Sequence, residues 1–78
     1  SAPRDAKMVL QEWAQARGLE RPVYQVVATS GPPHAMTFTV EVNFADQPAL
    51  SAAAATKRAA EQAAAALMLQ QVTGKAHG

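Results

Sequence analysis

The 78-residue sequence contains no cysteine, which excludes disulfide staples and thiolate metal sites and leaves a small chain to rely on packing alone. Aromatic residues are few: one Trp, one Tyr and two Phe make up 5% of the chain. Charge of one sign is scarce as well. Seven Lys/Arg stand against six Asp/Glu for a net +1, so composition alone does not mark a surface built for a polyanion. No apolar run approaches the roughly 18 residues of a membrane span, and no segment has the make-up of a signal peptide. A cysteine-free chain of this kind suits a reducing cytoplasm.

What the sequence does have is alanine. Apolar residues account for 49% of the chain, yet mean hydropathy is only −0.11. Alanine lets helices pack closely but buries little area per residue, so modest stability is predicted. At 78 residues there is room for one domain with one small core.

Residues 1–4 read as a linker or an expression remnant, 5–72 as the domain and 73–78 as a flexible tail. Asp5 can cap a helix, and Gly18 can stop it in a left-handed conformation. Between them Ala6, Val9, Leu10, Trp13 and Ala16 recur at helical spacing as one apolar stripe. Met8, Gln11, Glu12 and Gln15 share the opposite face. Pro22 ends any helix. Val23 to Thr29 is then β-branched and aromatic, with Tyr24, Val26 and Ala28 alternating against their neighbours.

Ser30-Gly31-Pro32-Pro33 is a turn signal with His34 beyond it. Phe38, Val40, Val42 and Phe44 alternate with Thr37, Thr39, Glu41 and Asn43 in the clearest period-two pattern of the chain, a half-buried antiparallel strand. Ala45-Asp46-Gln47-Pro48 marks a second turn. By composition Ala49 to Ala55 could be helical. Thr56, however, is a natural N-cap, followed by Lys57-Arg58, a long run from Ala59 to Val72 and a closing Gly74. If Thr56 starts that helix, the alanines before it form a short third strand. The helical stripe Ala60, Ala63, Ala64, Leu67 and Gln71 would face the sheet, with Leu67 and Met68 filling the wider end. The order is then α-β-β-β-α, an α+β fold with two helices packed on one face of a three-stranded antiparallel sheet.

At Leu10-Gln11-Glu12-Trp13, Pro22-x-Tyr24-x-Val26, Gly31-Pro32-x-His34, Phe38-x-Val40-x-Val42 and Thr56-Lys57-Arg58-x-Ala60-Glu61-Gln62-x-Ala64-Ala65, the chain resembles the double-stranded RNA-binding domain. It most resembles the one that ends bacterial ribonuclease III. Each fragment alone is weak, but five in order over about Asp5 to Leu69 are specific. The resemblance implies a module that binds A-form duplex RNA by shape and is the substrate-binding part of an enzyme that processes rRNA and mRNA duplexes. It implies that this chain is not itself the enzyme. The Mg²⁺-dependent nuclease domain, with its acidic helical motif, has no counterpart here, and the parent enzyme would be a homodimer through that domain. No cofactor is implied for the module.

Three contact regions follow from the resemblance. Gln11, Glu12 and Gln15 would reach 2′-hydroxyls and base edges in one minor groove. His34, with the backbone at Gly31 and Pro32, would enter the next. Lys57 and Arg58 would meet phosphates across the intervening major groove, which is too narrow to read. Amides suit the minor groove because they donate and accept at once, and a helix N-terminus attracts anions.

The sequence departs from the family pattern in places. Ala52 and Ala54 stand where many members have glycine. Glu61, where many relatives outside ribonuclease III have a third basic residue, would pair with Lys57 one turn earlier. Met8 lies on the face that the resemblance assigns to RNA.

Competing readings are plainer. The Gln11 face could be an ordinary solvated helix surface, and His34 an ordinary loop histidine. Lys57-Arg58 resists that reading best, because cations in a first turn oppose the helix dipole. Trp13, Tyr24 and Phe38 read as core. Ser30 and Ser51 lack a base or oxyanion partner for nucleophilic catalysis, and His34 with His77 lacks metal-ligand spacing. Two other readings of the whole chain are a protein-interaction or dimerisation module of the same fold and a helical adaptor with Ala49 to Val72 as one helix.

Overall fold

The computed structural model describes residues 5–74. The expected linker at 1–4 and the outer tail at 75–78, with His77, lie outside the described residues. The element order is α1 (Ala6–Ala16), β1 (Val23–Ser30), a 3₁₀ turn (Pro33–Ala35), β2 (Thr37–Asn43), β3 (Leu50–Ala54) and α2 (Lys57–Thr73). The α-β-β-β-α order is the one the sequence patterns predict, and the continuous helix from Ala49 is not formed.

α1 starts where Asp5 accepts the Met8 N–H at 3.1 Å. It ends in a Schellman arrangement: the Leu19 N–H reaches the Ala14 carbonyl at 2.9 Å and the Gly18 N–H reaches Gln15 at 3.1 Å. Gly18 sits at φ +69°, as that closure demands. α2 starts at Thr56, whose hydroxyl oxygen accepts the Ala59 N–H at 3.0 Å. It runs one residue past Val72 to Thr73 and is capped by Gly74 at φ +69°.

The sheet order is β1-β2-β3, both pairs antiparallel. Val40 and Val42 of β2 and Phe44 just beyond its end are buried with Leu10, Ala14, Ala64, Ala65 and Met68. Trp13 meets Phe44 edge-on with ring centroids 6.0 Å apart. Trp13 and Tyr24 pack against this core, as expected. Phe38 is only partly buried, because it sits at the open end of the strand.

Three packing expectations are corrected. In α1 the buried small residue is Ala14, not Ala16, because the last turn leaves the core as the helix closes. In α2 the buried set is Ala60, Ala64, Ala65 and Met68, while Leu67 and Gln71 are exposed. Alanines on every side give that helix no size pattern from which to choose a face, and the volume of Met68 settles it. In β1 the register slips between Val26 and Ala28. The bulge breaks the alternation, so Tyr24 alone of that strand is partly buried.

Candidate nucleic-acid interface

The ends of β2 decide what is brought together. Ser30 pairs with Thr37, and Phe38 pairs with Ala54. The loop carrying Gly31, Pro32 and His34 therefore leaves and re-enters the sheet at the end where β3 finishes and α2 begins. Gly31 adopts φ +89°, and a Cβ added there would stand 2.6 Å from the Ala35 carbonyl oxygen. The Ala35 N–H closes the turn on the Pro32 carbonyl at 2.9 Å. His34 is thereby presented to solvent in a short, well-defined turn.

Lys57 and Arg58 are exposed in the first turn of α2, which contains no acidic residue to balance them. The Lys57 ammonium lies 6.0 Å from the centroid of the Phe38 ring, so its stem follows the sheet end rather than the helix. The first turn adds free N–H groups and the positive end of the helix dipole.

α1 and α2 begin side by side. An open cleft of about 510 Å³ between them is lined by Lys7, Met8 and Gln11 from α1 and by Lys57, Arg58, Glu61 and Gln62 from α2, with Asp5 at its end. Gln11 thus shares a cleft with the two cations expected to meet phosphate. Glu12 and Gln15 are exposed farther along the same helix. Gly31, Pro32 and His34 do not line the cleft but stand at the adjoining sheet end.

One expected pairing is corrected. Glu61 does not bond Lys57 one turn earlier. It holds the Lys7 ammonium of α1 at 2.6 Å, while Lys57 turns toward Phe38. The Gln62 amide reinforces the junction: its nitrogen donates to Asp5 Oδ1 at 2.7 Å and its oxygen accepts the Lys7 N–H at 3.3 Å. That amide, followed by the Met8 N–H, holds the Asp5 carboxyl below its ordinary value. The Lys7 ammonium also lies 5.0 Å from the centroid of the Tyr24 ring. The sequence reading missed Lys7 and Gln62. A signal existed, because Lys7 and Gln11 are one turn apart on α1 and so share a side of it.

Other charge is committed elsewhere. Arg17 stacks 3.8 Å above the Trp13 ring centroid and donates to the Trp13 carbonyl at 3.2 Å. Among the described residues no group of three or more His, Cys, Asp or Glu is arranged to hold a metal ion, and no helix is long and apolar enough to cross a membrane.

Comparisons with known proteins agree with this fold. A family model described as the double-stranded RNA binding motif matches residues 6–72. Ribonuclease 3 of Cereibacter sphaeroides is 60% identical over 55 residues, 70% of this chain and 24% of that protein. Ribonuclease 3 of Ehrlichia ruminantium is 47% identical over 73 residues, 94% of this chain and 32% of that protein. The chain thus spans a third or less of these relatives. Among solved structures, Arabidopsis HYL1 superposes with a TM-score of 0.75 at 33% identity, covering 87% of this chain and 96% of that one. The second such domain of DRB4 gives 0.65 at 41% identity, covering 88% and 96%.

Proposed function

The chain belongs to the double-stranded RNA-binding motif family, and from that premise we propose that it grips A-form RNA through three sets of residues. Gln11, Glu12 and Gln15 address one minor groove. Gly31, Pro32 and His34 address the next, and Lys57 with Arg58 meet the phosphates between. The observation that carries the reading is the shared cleft: a dibasic first turn of α2 opens onto the same surface as Gln11. The dibasic turn opposes its own helix dipole, a cost that a bound polyanion offsets.

By the same proposal, residues 5–72 form the RNA-binding unit of a ribonuclease III. The Mg²⁺-dependent chemistry, homodimerisation and the processing of rRNA and mRNA duplexes belong to the remainder of that enzyme, acting in the cytoplasm. A net charge of only +1 makes the isolated unit a weak binder that gains from a second copy in the parent assembly.

The test is a gel-shift or NMR titration with a duplex of about 20 base pairs, longer than the roughly 16 such a domain spans. Preference for RNA over DNA of the same sequence is expected. A stable dimer indifferent to RNA would instead identify a protein-interaction module.

A further inference from the structure

We infer that Glu61 and Gln62 are positioning residues for duplex RNA: they tie the start of α1 to the second turn of α2 and so fix the offset between Gln11 and the Lys57-Arg58 pair. The inference rests on the contact reading proposed above.

Electrostatics alone argues against the arrangement. Glu61 stands three and four residues after Arg58 and Lys57 and lines the same cleft, where its carboxylate repels phosphate. It also draws the Lys7 ammonium into a 2.6 Å pair, neutralising another cation of that cleft. A surface that served adhesion only would do better with an uncharged residue at 61. The pair is partly solvent-exposed, at 36% for Lys7 and 29% for Glu61, so its worth to stability is small.

What the junction provides is geometry. Asp5 Oδ1 accepts both the Met8 N–H that starts α1 and the Gln62 amide of α2, so the cap of one helix is bonded to the other. Lys7 joins Glu61 on α2 and lies over the Tyr24 ring on β1, tying three elements at one point. A-form and B-form duplexes differ in groove width and depth, so they offer minor-groove edges and neighbouring phosphates at different offsets. A rigid offset between Gln11 and Lys57 therefore favours one duplex form.

The decisive variant is Glu61→Gln, which keeps side-chain length and helix preference but removes the charge. Affinity for an RNA of about 20 base pairs, a little longer than one domain footprint, is expected to fall by about fivefold, the upper range for an exposed pair. Affinity for the same DNA should hold, narrowing the RNA-to-DNA ratio. Tighter RNA binding with steeper salt dependence would overturn the inference, because it would mean that a freed Lys7 simply adds a phosphate contact. The exchanged pair, Lys7→Glu with Glu61→Lys, should recover the ratio lost in each single variant, and no recovery would overturn it too. If the exchanged protein does not melt cooperatively, Gln62→Ala, which alters no charge, serves instead: a narrowed ratio supports the inference and an unchanged one overturns it. Lys57→Glu is the control for the contact reading. If it leaves RNA binding intact, that reading fails. If it weakens binding while Glu61→Gln leaves the ratio unchanged, only the positioning role fails.

Discussion

Gly31 approaches Ala35 so closely that a Cβ on Gly31 would stand 2.6 Å from the Ala35 carbonyl oxygen, with the Gly31 backbone at φ +89°. The neighbour is backbone and cannot swing aside, and an L-residue is strained at that φ in any case. Gly31→Ala is therefore expected to cost about 1–3 kcal/mol in denaturant unfolding. If His34 contacts RNA through this turn, the variant should also weaken RNA binding more than His34→Ala does, because it displaces the whole loop. Backbone chemical-shift changes confined to 30–37 would locate the effect. Wild-type stability in Gly31→Ala would refute this account of the turn.

Met68 carries the volume at the centre of an alanine-built helix. It is fully buried with Leu10 and Val42, and the methyl groups of Ala64 and Ala65 in the same core are too short to fill a void. Met68→Ala should cost about 2–5 kcal/mol, a large share of what a domain of this size possesses. Loss of the cooperative melt near room temperature is the expected result. Leu67→Ala is the comparison: at 39% exposure it should cost much less, although both residues are apolar and adjacent.

The element order was legible because local chemistry and pattern agree at each boundary. Asp5, Gly18, Thr56 and Gly74 cap the helices as their residue types imply, and β2 alternates cleanly. The α2 face was not legible, since a run of alanines has no amphipathic contrast. The inward side of β1 was lost at the bulge near Val27, an extra residue that no turn signal announces. Of the interface, Lys57, Arg58 and Gln11 could be read as types suited to phosphate and 2′-hydroxyl. The Lys7–Glu61 pair joins residues 54 apart, and helical spacing offers Glu61 the nearer Lys57 instead. Only the packing of α1 against α2 decides between those partners.

Tyr24 has a buried hydroxyl with no hydrogen-bond partner among the described residues. Burial, followed by the nearby Glu61 and Asp5 carboxylates, pushes its pKa up to about 12 from 10.0. The folded state therefore holds the phenol proton more tightly than the unfolded chain does. Ionisation of the phenol leaves stability unchanged below pH 10.0 and lowers it as pH rises toward about 12. Tyr24→Phe removes both effects. It should raise stability at pH 7 by up to about 1 kcal/mol, since an unsatisfied group is no longer buried. It should also flatten the fall in melting temperature between pH 10.0 and about 12. A wild-type alkaline profile in Tyr24→Phe would assign that fall to other groups.

Lys57 and Gln11 should fail in different ways, and the difference tests the division of labour across the cleft. A phosphate contact releases counterions whatever the helix form, so its loss lowers affinity for RNA and DNA alike and reduces the salt slope. Lys57→Gln should reduce the slope of log affinity against log salt by about one, and adding Arg58→Gln by about one more. Gln11→Ala removes no charge. It should leave that slope unchanged and lower RNA affinity alone, because the 2′-hydroxyl it would address is absent from DNA. Titrations of both duplexes at three salt concentrations separate these outcomes. A slope change in Gln11→Ala, or an RNA-specific loss in Lys57→Gln, would reverse the two assignments. A dibasic turn that opposes its own helix dipole, with neither variant affecting RNA, would leave Lys57 as no more than a side chain packed on Phe38.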